Sequence, residues 1–586
     1  MLVYREQQHR EPAARLWRTV RDRLTNLAPA HAGTHDRTVA LLIDMGVLEA
    51  ALTDTLHPET DDLDSVTRAI RAASVATGHL LWHSWRGDAD AMRPWIERAR
   101  AALDVAEGSA TPKEITCRVP EGYAYYGLYP ETYFAAAARL LQACPAPRLV
   151  CIGLRSIGTS LSAAAAAAFE EHGREVLSVT VRPRGHPFDR RPILSAELEA
   201  LLRAQAGDLF VLVDEGPGLS GSSLAGTARV LEGLGVSPEQ VVFLPSWRTD
   251  GSSLRSAEAR ARWRRHPQFT ASFEEVWLDT GRLATAVPGP VRTLENLSAG
   301  AWRSLLLDDV DAYPPVQPQH ERRKYLARSS GGGLDHAPPL LLRFVGLGAY
   351  GERRLARART LAEAGLDSAP EGLVHGFLIQ PFHEGRPGRI EAPEELLAAM
   401  GTYLAGVRRH CPARENPTDL LPMVETNVSE GLGPAAVTSA QRRLAAVSQD
   451  VEPTALDARM FPHEWLRTAA GWQKADAYDH CDDHFYPGPQ DIAWDLAGVC
   501  LEFRLSPDAR RALLEGYRVA SGDRHVGRRL PGFAVAYLAF RLGYDTLAAE
   551  QLSGSGDGER FQRRATLYRQ WLERELSPGA EAGWDL

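Results

Sequence analysis

Two adjacent acids at the end of an apolar run are the residues of this sequence most suited to chemistry. Asp214 and Glu215 follow the strand-like run 209–213, and a short turn leads to Ser and Gly residues 220–223 at the start of a predicted helix. Carboxylates can accept hydrogen bonds from vicinal ribose hydroxyls, and loop N–H groups, serine hydroxyls and a helix dipole can hold a phosphate. The spacing predicts a sugar-phosphate site; the alternative is an ordinary strand–turn–helix link with a serine N-cap.

Two further strand–loop–helix units precede this loop. Residues 148–152 lead into a loop with Arg155 and Ser156, and then into an alanine-rich helix. Residues 175–181 run into a basic loop that contains Arg182, Arg184, His186, Arg190 and Arg191. Strands that alternate with helices predict a doubly wound parallel sheet, with the loops gathered at the carboxyl edge of the strands. A solvated basic loop is the alternative interpretation of the arginine-rich segment.

In this order, the three loops resemble those of type I phosphoribosyltransferases. The resemblance implies a PRPP-dependent phosphoribosyltransferase that acts on a nucleobase-like or other small-molecule acceptor. It implies Asp214 and Glu215 as catalytic residues on the ribose. It also implies a set of PRPP-binding residues, which are Arg155, Ser156, Arg182, Arg184, Ser220, Gly221, Ser222 and Ser223.

A second set of candidates lies in the C-terminal half. Arg343 is near the end of a strand-like segment, and Gly346, Gly348 and Gly351 follow ahead of a predicted helix. Further along the chain come three acids and a histidine, at Asp457, His463, Asp476 and Asp495, the last in an Asp-Leu-Ala triplet. Phosphoryl transfer needs such a set, because one carboxylate orients the attacking hydroxyl and others hold Mg²⁺ against the phosphates.

These motifs resemble those of the aminoglycoside phosphotransferase-like small-molecule kinases. The resemblance implies Asp457 as the catalytic base, His463 and Asp476 as ligands of Mg²⁺, and Asp495 as a structural residue. It also implies that Arg343 and the three glycines contact ATP. The kinase-like domain would phosphorylate or hold the small molecule on which the phosphoribosyltransferase acts.

Two other functions fit the same residues. Altered loop and strand positions favour a regulator that binds PRPP or nucleotide without turnover. The run 479–484, DHCDDH, packs metal-capable residues together and, with His463 and Asp476, would suit a metal-dependent hydrolase. His79 and His83, four residues apart on a predicted helix, could also hold a metal, although packing against tryptophan is the alternative.

Length and composition bound these interpretations. A chain of 586 residues exceeds one core, and we expect a helical region at 1–115, a phosphoribosyltransferase-like domain at 116–250, a connector at 251–319 and a bilobal kinase-like domain at 320–586. This is a multidomain α/β and α+β organisation. The net charge of −9 argues against nucleic acid as a partner, and no apolar run is long enough to span a membrane. Six cysteines without a CxxC pair indicate a reducing, cytoplasmic location.

Overall fold

The computed structural model describes residues 1–5, 7–108, 112–218, 220–289, 292–329, 338–447, 451–478, 480–580 and 584. Helices and separate parallel and antiparallel sheets make this a mixed α/β and α+β protein. No helix in these ranges combines the length and the apolar character needed to cross a membrane.

The N-terminal region is a helical bundle closed by a small sheet. Its elements are β1 (Gln8–Pro12), α1 (Ala13–Thr25), α2 (Thr34–Leu56), α3 (Ser65–Arg86), α4 (Ala89–Glu107) and β2 (Glu114–Arg118), and β1 pairs antiparallel with β2. α3 begins where the Asp64 carboxylate accepts the Thr67 N–H, and it ends at Gly87, whose φ of 74° favours glycine. The apolar faces of these helices pack into one core, which positions α2 and α3 against the next unit.

A parallel sheet with helices on both faces follows. Its elements are α5 (Glu131–Ala143), β3 (Arg148–Leu154), α6 (Ile157–Glu171), β4 (Glu175–Val181), α7 (Ala196–Ala204), β5 (Leu209–Val213), α8 (Ser222–Gly233) and β6 (Val241–Leu244). The strands pair in the order β4-β3-β5-β6. Along β5, Val211 packs with α5 and α6, whereas Phe210 and Leu212 pack with α7 and α8 on the opposite face. The carboxyl ends of β3, β4 and β5 therefore share one edge.

The segment expected as a connector contains the first strand of the next sheet. Its elements are α9 (Ala257–Arg265), α10 (Arg282–Ala286), β7 (Arg292–Asn296) and α11 (Arg303–Leu306), and β7 pairs antiparallel with β8 (Lys324–Ser329). The sheet thus begins at Arg292 and not near residue 320. The sequence RTLEN hides this strand because it lacks an apolar alternation. Pro290, in the proline–glycine joint before it, lies outside the described residues.

An antiparallel sheet and a helical half make up the rest of the chain. The sheet continues with β9 (Leu340–Phe344), β10 (Gly372–Val374) and β11 (Phe377–Pro381), and the helix α12 (Ala349–Glu363) lies between β9 and β10 in the sequence. The short strand β12 (Arg386–Pro387) follows and pairs with β13 (Trp465–Thr468) in the helical half. The strand order is β10-β11-β9-β8-β7. The helical half consists of α13 (Glu394–His410), α14 (Leu421–Leu432), α15 (Val437–Ala445), the hairpin β13 (Trp465–Thr468) and β14 (Gly471–Lys474), α16 (Ala493–Glu502), α17 (Pro507–Ser521), α18 (Val526–Gln551) and α19 (Gly556–Glu575). This two-part arrangement is the one expected of a kinase-like domain.

One hydrophobic cluster joins the three regions. Ile43 of α2, Tyr123, and Leu342 of β9 all belong to it. The Leu347 N–H donates to the Tyr123 carbonyl oxygen at 3.0 Å across the same boundary. Because this cluster contains side chains from all three regions, each region buries part of its apolar surface against the others.

The first residues of the chain pack into the C-terminal half. Val3 is buried in the core of that half. The Leu2 N–H donates to Oδ1 of Asn427 at 2.6 Å, and Nδ2 of Asn427 donates to the Leu2 carbonyl oxygen at 2.9 Å. The Tyr486 N–H donates to the Val3 carbonyl oxygen at 3.1 Å. This segment therefore closes a contact with residues more than four hundred positions away.

Candidate functional site

A cavity of about 220 Å³ lies between the antiparallel sheet and the helical half. The sheet contributes Lys324 from β8 and Arg343 from β9, and the helical half contributes Arg541 from α18 and Arg564 from α19. The described residues of its wall include six cationic and four acidic side chains, so the wall carries a net positive charge. An enclosed site with this balance suits an anionic small molecule.

The β13–β14 hairpin brings two carboxylates to the cavity wall. Glu464 immediately precedes β13, and Asp476 follows the end of β14. The Ala475 N–H donates to the Glu464 carbonyl oxygen at 2.7 Å, which ties the two ends of the hairpin together. Asp476 has a φ of 60°, a left-handed conformation that is uncommon for a non-glycine residue and that clusters at functional sites.

Two cations from the sheet keep Asp476 ionised. Arg343 is ion-paired with Oδ1 of Asp476, and Nζ of Lys324 lies 3.3 Å from Oδ2. Lys324 and Arg343 are cross-strand partners of β8 and β9, so both side chains reach the same carboxylate. Burial alone would raise the pKa of Asp476, but the charges of Arg343 and Lys324 hold it well below its usual value. The predicted metal ligand Asp476 therefore offers a full negative charge.

Glu464 is the second carboxylate of the wall, and the sequence analysis missed it. Nζ of Lys474 lies 3.3 Å from Oε2 of Glu464, and Nε of Arg459 lies 3.1 Å from Oε1. Burial would raise the pKa of Glu464, but these two cations lower it below its usual value. The spacing of the motif selected His463, and the acid at the very next position was the signal that could have found Glu464.

His463 lies on the cavity wall but is stacked between aromatic rings. Its ring centroid is 5.4 Å from those of both Trp302 and Phe461. Burial lowers the pKa of His463 to about 3, so the imidazole is neutral. Among the described residues, the clusters of three or more metal-capable side chains do not include His463 or Asp476.

Asp457, the predicted base, lies behind the cavity wall. Its carboxylate accepts a hydrogen bond from the Tyr403 hydroxyl at 2.6 Å and lies 3.2 Å from Nζ of Lys474. Asp457 is fully buried and is not among the described residues that line the cavity. Burial raises its pKa, against the opposing charge of Lys474. The position of Asp457 is a supporting one, beneath Lys474, and not beside a hydroxyl bound in the cavity.

Asp495 holds the loop that carries Asp457. Its carboxylate accepts the Asp457 N–H at 3.0 Å and the Ala458 N–H at 2.9 Å. Asp495 is itself fully buried in α16. This contact agrees with the structural role that the Asp-Leu-Ala triplet implied.

Arg541 brings a buried cation to the cavity wall. The residue is 4% exposed. The rings of Phe461 and Phe540 lie 4.5 and 5.3 Å from the guanidinium carbon. The positive charge of this guanidinium would stabilise an anion that enters the cavity.

The glycines predicted to contact ATP lie at another surface. Gly346 and Gly348 precede α12, and neither is among the described residues that line the cavity. A Cβ atom on Gly348 would lie 3.1 Å from the Ala40 backbone, and one on Gly351 would lie 2.2 Å from the Gly346 carbonyl oxygen. The glycines are needed for close packing between this loop, its own helix and α2.

At the edge of the parallel sheet, Asp214 and Glu215 lie beneath the tyrosine-rich segment before α5. The Tyr133 hydroxyl donates to the Asp214 carbonyl oxygen at 2.8 Å, and a Cβ atom on Gly122 would lie 3.0 Å from the Glu215 carboxylate. Burial raises the pKa of Asp214 to about 7. Burial and the charge of Asp214 raise the pKa of Glu215 to about 8. Both acids therefore bind protons near neutral pH.

The three predicted PRPP-binding arginines are paired with acids of the N-terminal region. Arg155 is ion-paired with Asp61, and its Nε lies 2.7 Å from Oδ1 of Asp54. Arg182 is ion-paired with Asp54, and Nη1 of Arg184 lies 3.0 Å from Oδ1 of Asp61. Each of the three arginines thus already has a carboxylate partner, from α2 or from the loop before α3.

The polar groups of the serine loop, residues 220–223, form hydrogen bonds with one another and with neighbouring loops. The Ser222 hydroxyl donates to the Pro187 carbonyl oxygen at 2.8 Å, and the Ser222 N–H donates to Oγ of Ser220 at 3.3 Å. The Gly221 N–H donates to an upstream carbonyl oxygen at 2.8 Å, and Ser223 is already part of α8. Leu219 lies outside the described residues. The arginine-rich loop therefore rests on the serine loop.

A small cavity lies at this edge. Ser156 has a φ of 142° and lines this cavity of about 10 Å³ against α2, together with Arg182. This volume is enough for about one water molecule. The strand order thus gathers the predicted PRPP residues at one edge, but the cavity beside Ser156 and Arg182 is too small for a sugar phosphate.

The histidine- and acid-rich run of the hydrolase alternative does not converge on one point. Asp479 lies outside the described residues. Nδ1 of His480 lies 3.8 Å from Oδ1 of Asp457, whereas Oδ2 of Asp483 lies 3.5 Å from Arg322. Clusters of metal-capable side chains within the described ranges occur elsewhere, at His9, Glu11 and Cys117 and at His79, His83 and Glu171.

Comparisons with known proteins cover about half of the chain. No protein-family model matches the sequence, and a search of curated proteins finds no relative. Solved structures that resemble the chain include kinases of small molecules. A choline/ethanolamine kinase family protein from Mesorhizobium loti has 14% identity and a TM-score of 0.36, over 53% of this chain and 98% of that protein.

Two other solved structures give similar values. Choline kinase LicA from Streptococcus pneumoniae has 16% identity and a TM-score of 0.30, over 42% of this chain and 89% of that protein. An aminoglycoside phosphotransferase from Alicyclobacillus acidocaldarius has 13% identity and a TM-score of 0.28, over 45% of this chain and 94% of that protein. Because these TM-scores are low, the function proposed below rests on the contacts of the chain itself.

Proposed function

We propose that the C-terminal half is an Mg²⁺- and ATP-dependent phosphotransferase that acts on a small molecule carrying an anionic group. The observation that most supports this is the pair of ionised carboxylates, Asp476 and Glu464, beside the cations Lys324, Arg343 and Arg459. Phosphoryl transfer relies on this combination, because carboxylates hold the metal ion while cations stabilise charge on the phosphate oxygens.

The donor set fits Mg²⁺. This ion prefers hard oxygen ligands and is usually held by one or two carboxylates together with phosphates. Asp476 and Glu464, both with lowered pKa values, would hold it. When bound, the ion neutralises charge on the transferred phosphoryl group.

The cations beside Asp476 suit the phosphates of a nucleotide. Lys324 and Arg343 already reach the same carboxylate, so phosphate oxygens held at Asp476 would lie within their range. The planar guanidinium of Arg343 can make two parallel hydrogen bonds to a phosphate, which an ammonium cannot. Arg343 therefore keeps the nucleotide-binding role proposed for it from the sequence.

Arg541 is the residue that we expect to bind the anionic group of the acceptor. Its guanidinium lines the cavity, and a carboxylate or phosphate on the acceptor would pair with this charge. Asp457 is not among the described residues that line the cavity, so we do not assign it as the base for the acceptor hydroxyl. Because the transition state of phosphoryl transfer is loose, positioning and charge stabilisation supply most of the catalysis, and a base supplies little.

Calorimetry and product analysis test this function. We expect ATP to bind in the presence of Mg²⁺, and ADP to be released with an acceptor from a panel of hydroxy acids and sugar phosphates. Arg541→Met should raise the KM for the acceptor about tenfold, which corresponds to about 1.4 kcal/mol, while the affinity for ATP stays unchanged. Arg569→Met, at a side chain more than half exposed on α19, is the matched control.

The outcomes separate the alternatives. ATP binding without ADP release across the panel would favour the nucleotide-binding regulator. An absence of ATP binding at millimolar concentration with Mg²⁺ or Mn²⁺ would contradict the phosphotransferase. A transition metal that purifies with the chain and is bound by the run 480–484 would favour the hydrolase.

PRPP binding at the edge of the parallel sheet is the second candidate function. The strand order β4-β3-β5-β6 supports it, because it gathers three loops and the acid pair at one edge. The proposal requires that PRPP displace Asp54 and Asp61 from the arginines. Asp214→Asn with Glu215→Gln should then weaken PRPP binding by about tenfold. Equal PRPP affinity in parent and variant, or no binding in either, would contradict this candidate.

A further inference from the structure

A cluster of metal-capable side chains lies between α3 and α6, separate from the cavity and from the loop edge. His79 and His83 are one turn apart on α3, and Glu170 and Glu171 end α6. Ligand atoms of His79, His83 and Glu171 all lie within 4.8 Å of one another. Two histidines at i and i+4 project from the same face of a helix, which is a common way to present two metal ligands.

The ring of His79 is held in a fixed orientation. It stacks on Trp95 with centroids 3.5 Å apart and planes 5° apart, and only 2% of the residue is exposed. Its Nδ1 lies 2.7 Å from Oε1 of Glu171, and its Nε2 lies 2.6 Å from Oε2 of Glu170. Both ring nitrogens therefore face a carboxylate, and packing fixes which nitrogen faces which acid.

We propose that His79 Nδ1, His83 Nε2 and a Glu171 carboxylate oxygen form a binding site for a divalent transition metal of the zinc class. Glu170 completes it by accepting a hydrogen bond from Nε2 of His79. Metal-bound histidines nearly always donate their second ring N–H to a carboxylate or carbonyl, which fixes the tautomer and strengthens the ligand. The pairing of His79 with Glu170 supplies this feature before any metal arrives.

The distances suit a compact tetrahedral ion. Ligands at about 2.0–2.1 Å from zinc in tetrahedral geometry are about 3.3 Å apart. Oε1 of Glu171 lies 2.7 Å from Nδ1 of His79 and 3.1 Å from Nε2 of His83. Small rotations of the Glu171 side chain, which is 22% exposed, would open this spacing. Water would take the fourth position.

Metal affinity at this site should rise with pH, because histidine and carboxylate side chains bind a metal ion only in their deprotonated forms.

The location gives the site a structural role. α3 belongs to the N-terminal bundle and α6 covers one face of the parallel sheet, and the two helices pack against each other. An ion shared by His79, His83 and Glu171 would join these two units near their surface. Such a site stabilises the folded chain by an amount that rises with the logarithm of the metal concentration above Kd, because the unfolded chain lacks the assembled ligands.

Zinc titration of the full chain, in competition with a chromogenic chelator, tests the proposal. The chain used for every measurement carries His9→Ala, which removes the other cluster formed with Glu11 and Cys117. We expect one zinc ion per chain. His83→Gln and Glu171→Gln should each weaken zinc binding by about a hundredfold, and Glu170→Gln by about tenfold. Glu175→Gln, at an exposed acid just beyond α6, is the control and should change nothing.

Spectroscopy distinguishes this site from adventitious binding. Co²⁺ bound in place of zinc should give the visible absorption of a tetrahedral ion, and X-ray absorption of the zinc form should show nitrogen and oxygen ligands only. A sulfur ligand at about 2.3 Å, no zinc binding, or equal affinity in parent and all variants would each overturn the proposal. Circular dichroism confirms that each variant is folded, and a zinc-dependent rise in melting temperature should occur in the parent but not in Glu171→Gln.

Discussion

The edge of the parallel sheet and the cavity of the C-terminal half both concentrate arginines, but the spaces beside these arginines differ in size. At the edge, Arg155, Arg182 and Arg184 pair with Asp54 and Asp61, and a cavity of about 10 Å³ lies beside Arg182. In the C-terminal half, six cations and four acids line a cavity of about 220 Å³. A basic loop read from sequence reveals the cations of a site but not the carboxylates that will meet them.

The difference has an energetic basis. An arginine taken out of water needs a partner, and removing the partner of a buried pair costs far more than an exposed pair contributes. At the edge, the partner is part of the fold, so a ligand must displace a carboxylate in order to bind. In the cavity, Arg541 lines a space in which an anion would pair with its guanidinium. The second arrangement is the better one for binding an anion from solution.

The largest expected effect of a single substitution concerns Asp61, the buried carboxylate that pairs with arginines at the edge of the parallel sheet. Asp61→Asn should lower the free energy of unfolding by about 3–5 kcal/mol, because Asp61 is fully buried and pairs with both Arg155 and Arg184. Urea unfolding measures it, with the exposed Asp508→Asn as the control. If Asp61→Asn is as stable as the parent, the arginines do not depend on this carboxylate and the edge resembles the cavity more closely.

Next in size is the loss of the cavity carboxylate. Asp476→Asn should weaken Mg²⁺-dependent ATP binding by about a hundredfold, or about 2.7 kcal/mol, because it removes a charged ligand of the ion. Calorimetry with and without Mg²⁺ gives the difference, and Asp508→Asn again serves as the control. Unchanged affinity in Asp476→Asn would place the nucleotide elsewhere.

The acid pair at the edge predicts a pH dependence of stability. The folded pKa values of Asp214 and Glu215, about 7 and 8, lie above the ordinary values of 3.8 and 4.5, so the folded state holds these protons more tightly. The resulting stability is present below about pH 4 and is lost as the pH rises through about 7 to 8. The parent should therefore lose on the order of 5 kcal/mol between pH 5 and pH 9 relative to Asp214→Asn with Glu215→Gln, because each pKa unit corresponds to about 1.36 kcal/mol.

Urea unfolding of both chains at the two pH values measures this difference. Parallel curves would mean that the acids ionise as they do in water, and the edge would then be open to solvent. This result would support sugar-phosphate binding at the edge, since ionised carboxylates are the better acceptors for ribose hydroxyls.

The smallest expected effect concerns the carboxylate missed in the sequence. Glu464→Gln should raise the Mg²⁺ concentration needed for ATP binding about tenfold, or about 1.4 kcal/mol, because one of two oxygen ligands loses its charge. His463→Gln should leave this requirement unchanged if Glu464 is the ligand. The reverse pattern would restore the histidine that the motif spacing indicated.

Local pattern predicted the elements far better than it predicted the partners. Five apolar residues ending in two acids mark β5 and its loop, and the Asp-Leu-Ala triplet marks the residue that caps the Asp457 amides. The pairing of Asp54 and Asp61 with arginines more than ninety positions away has no local signature, because the acids lie on a helix and loop of another region. β7 was missed because its five residues do not alternate in polarity, and Glu464 because the spacing drew attention to its neighbour.

The contact between Leu2 and Asn427 has a consequence for synthesis of the chain. The two residues are 425 positions apart, and at ordinary elongation rates the ribosome needs on the order of half a minute or more to make that length. During this time the segment around Val3 lacks these partners, while the helical bundle and the parallel sheet are being made. The core of the C-terminal half, which includes Val3, can therefore be completed only after α14 and residues 484–486 have emerged and packed against this segment.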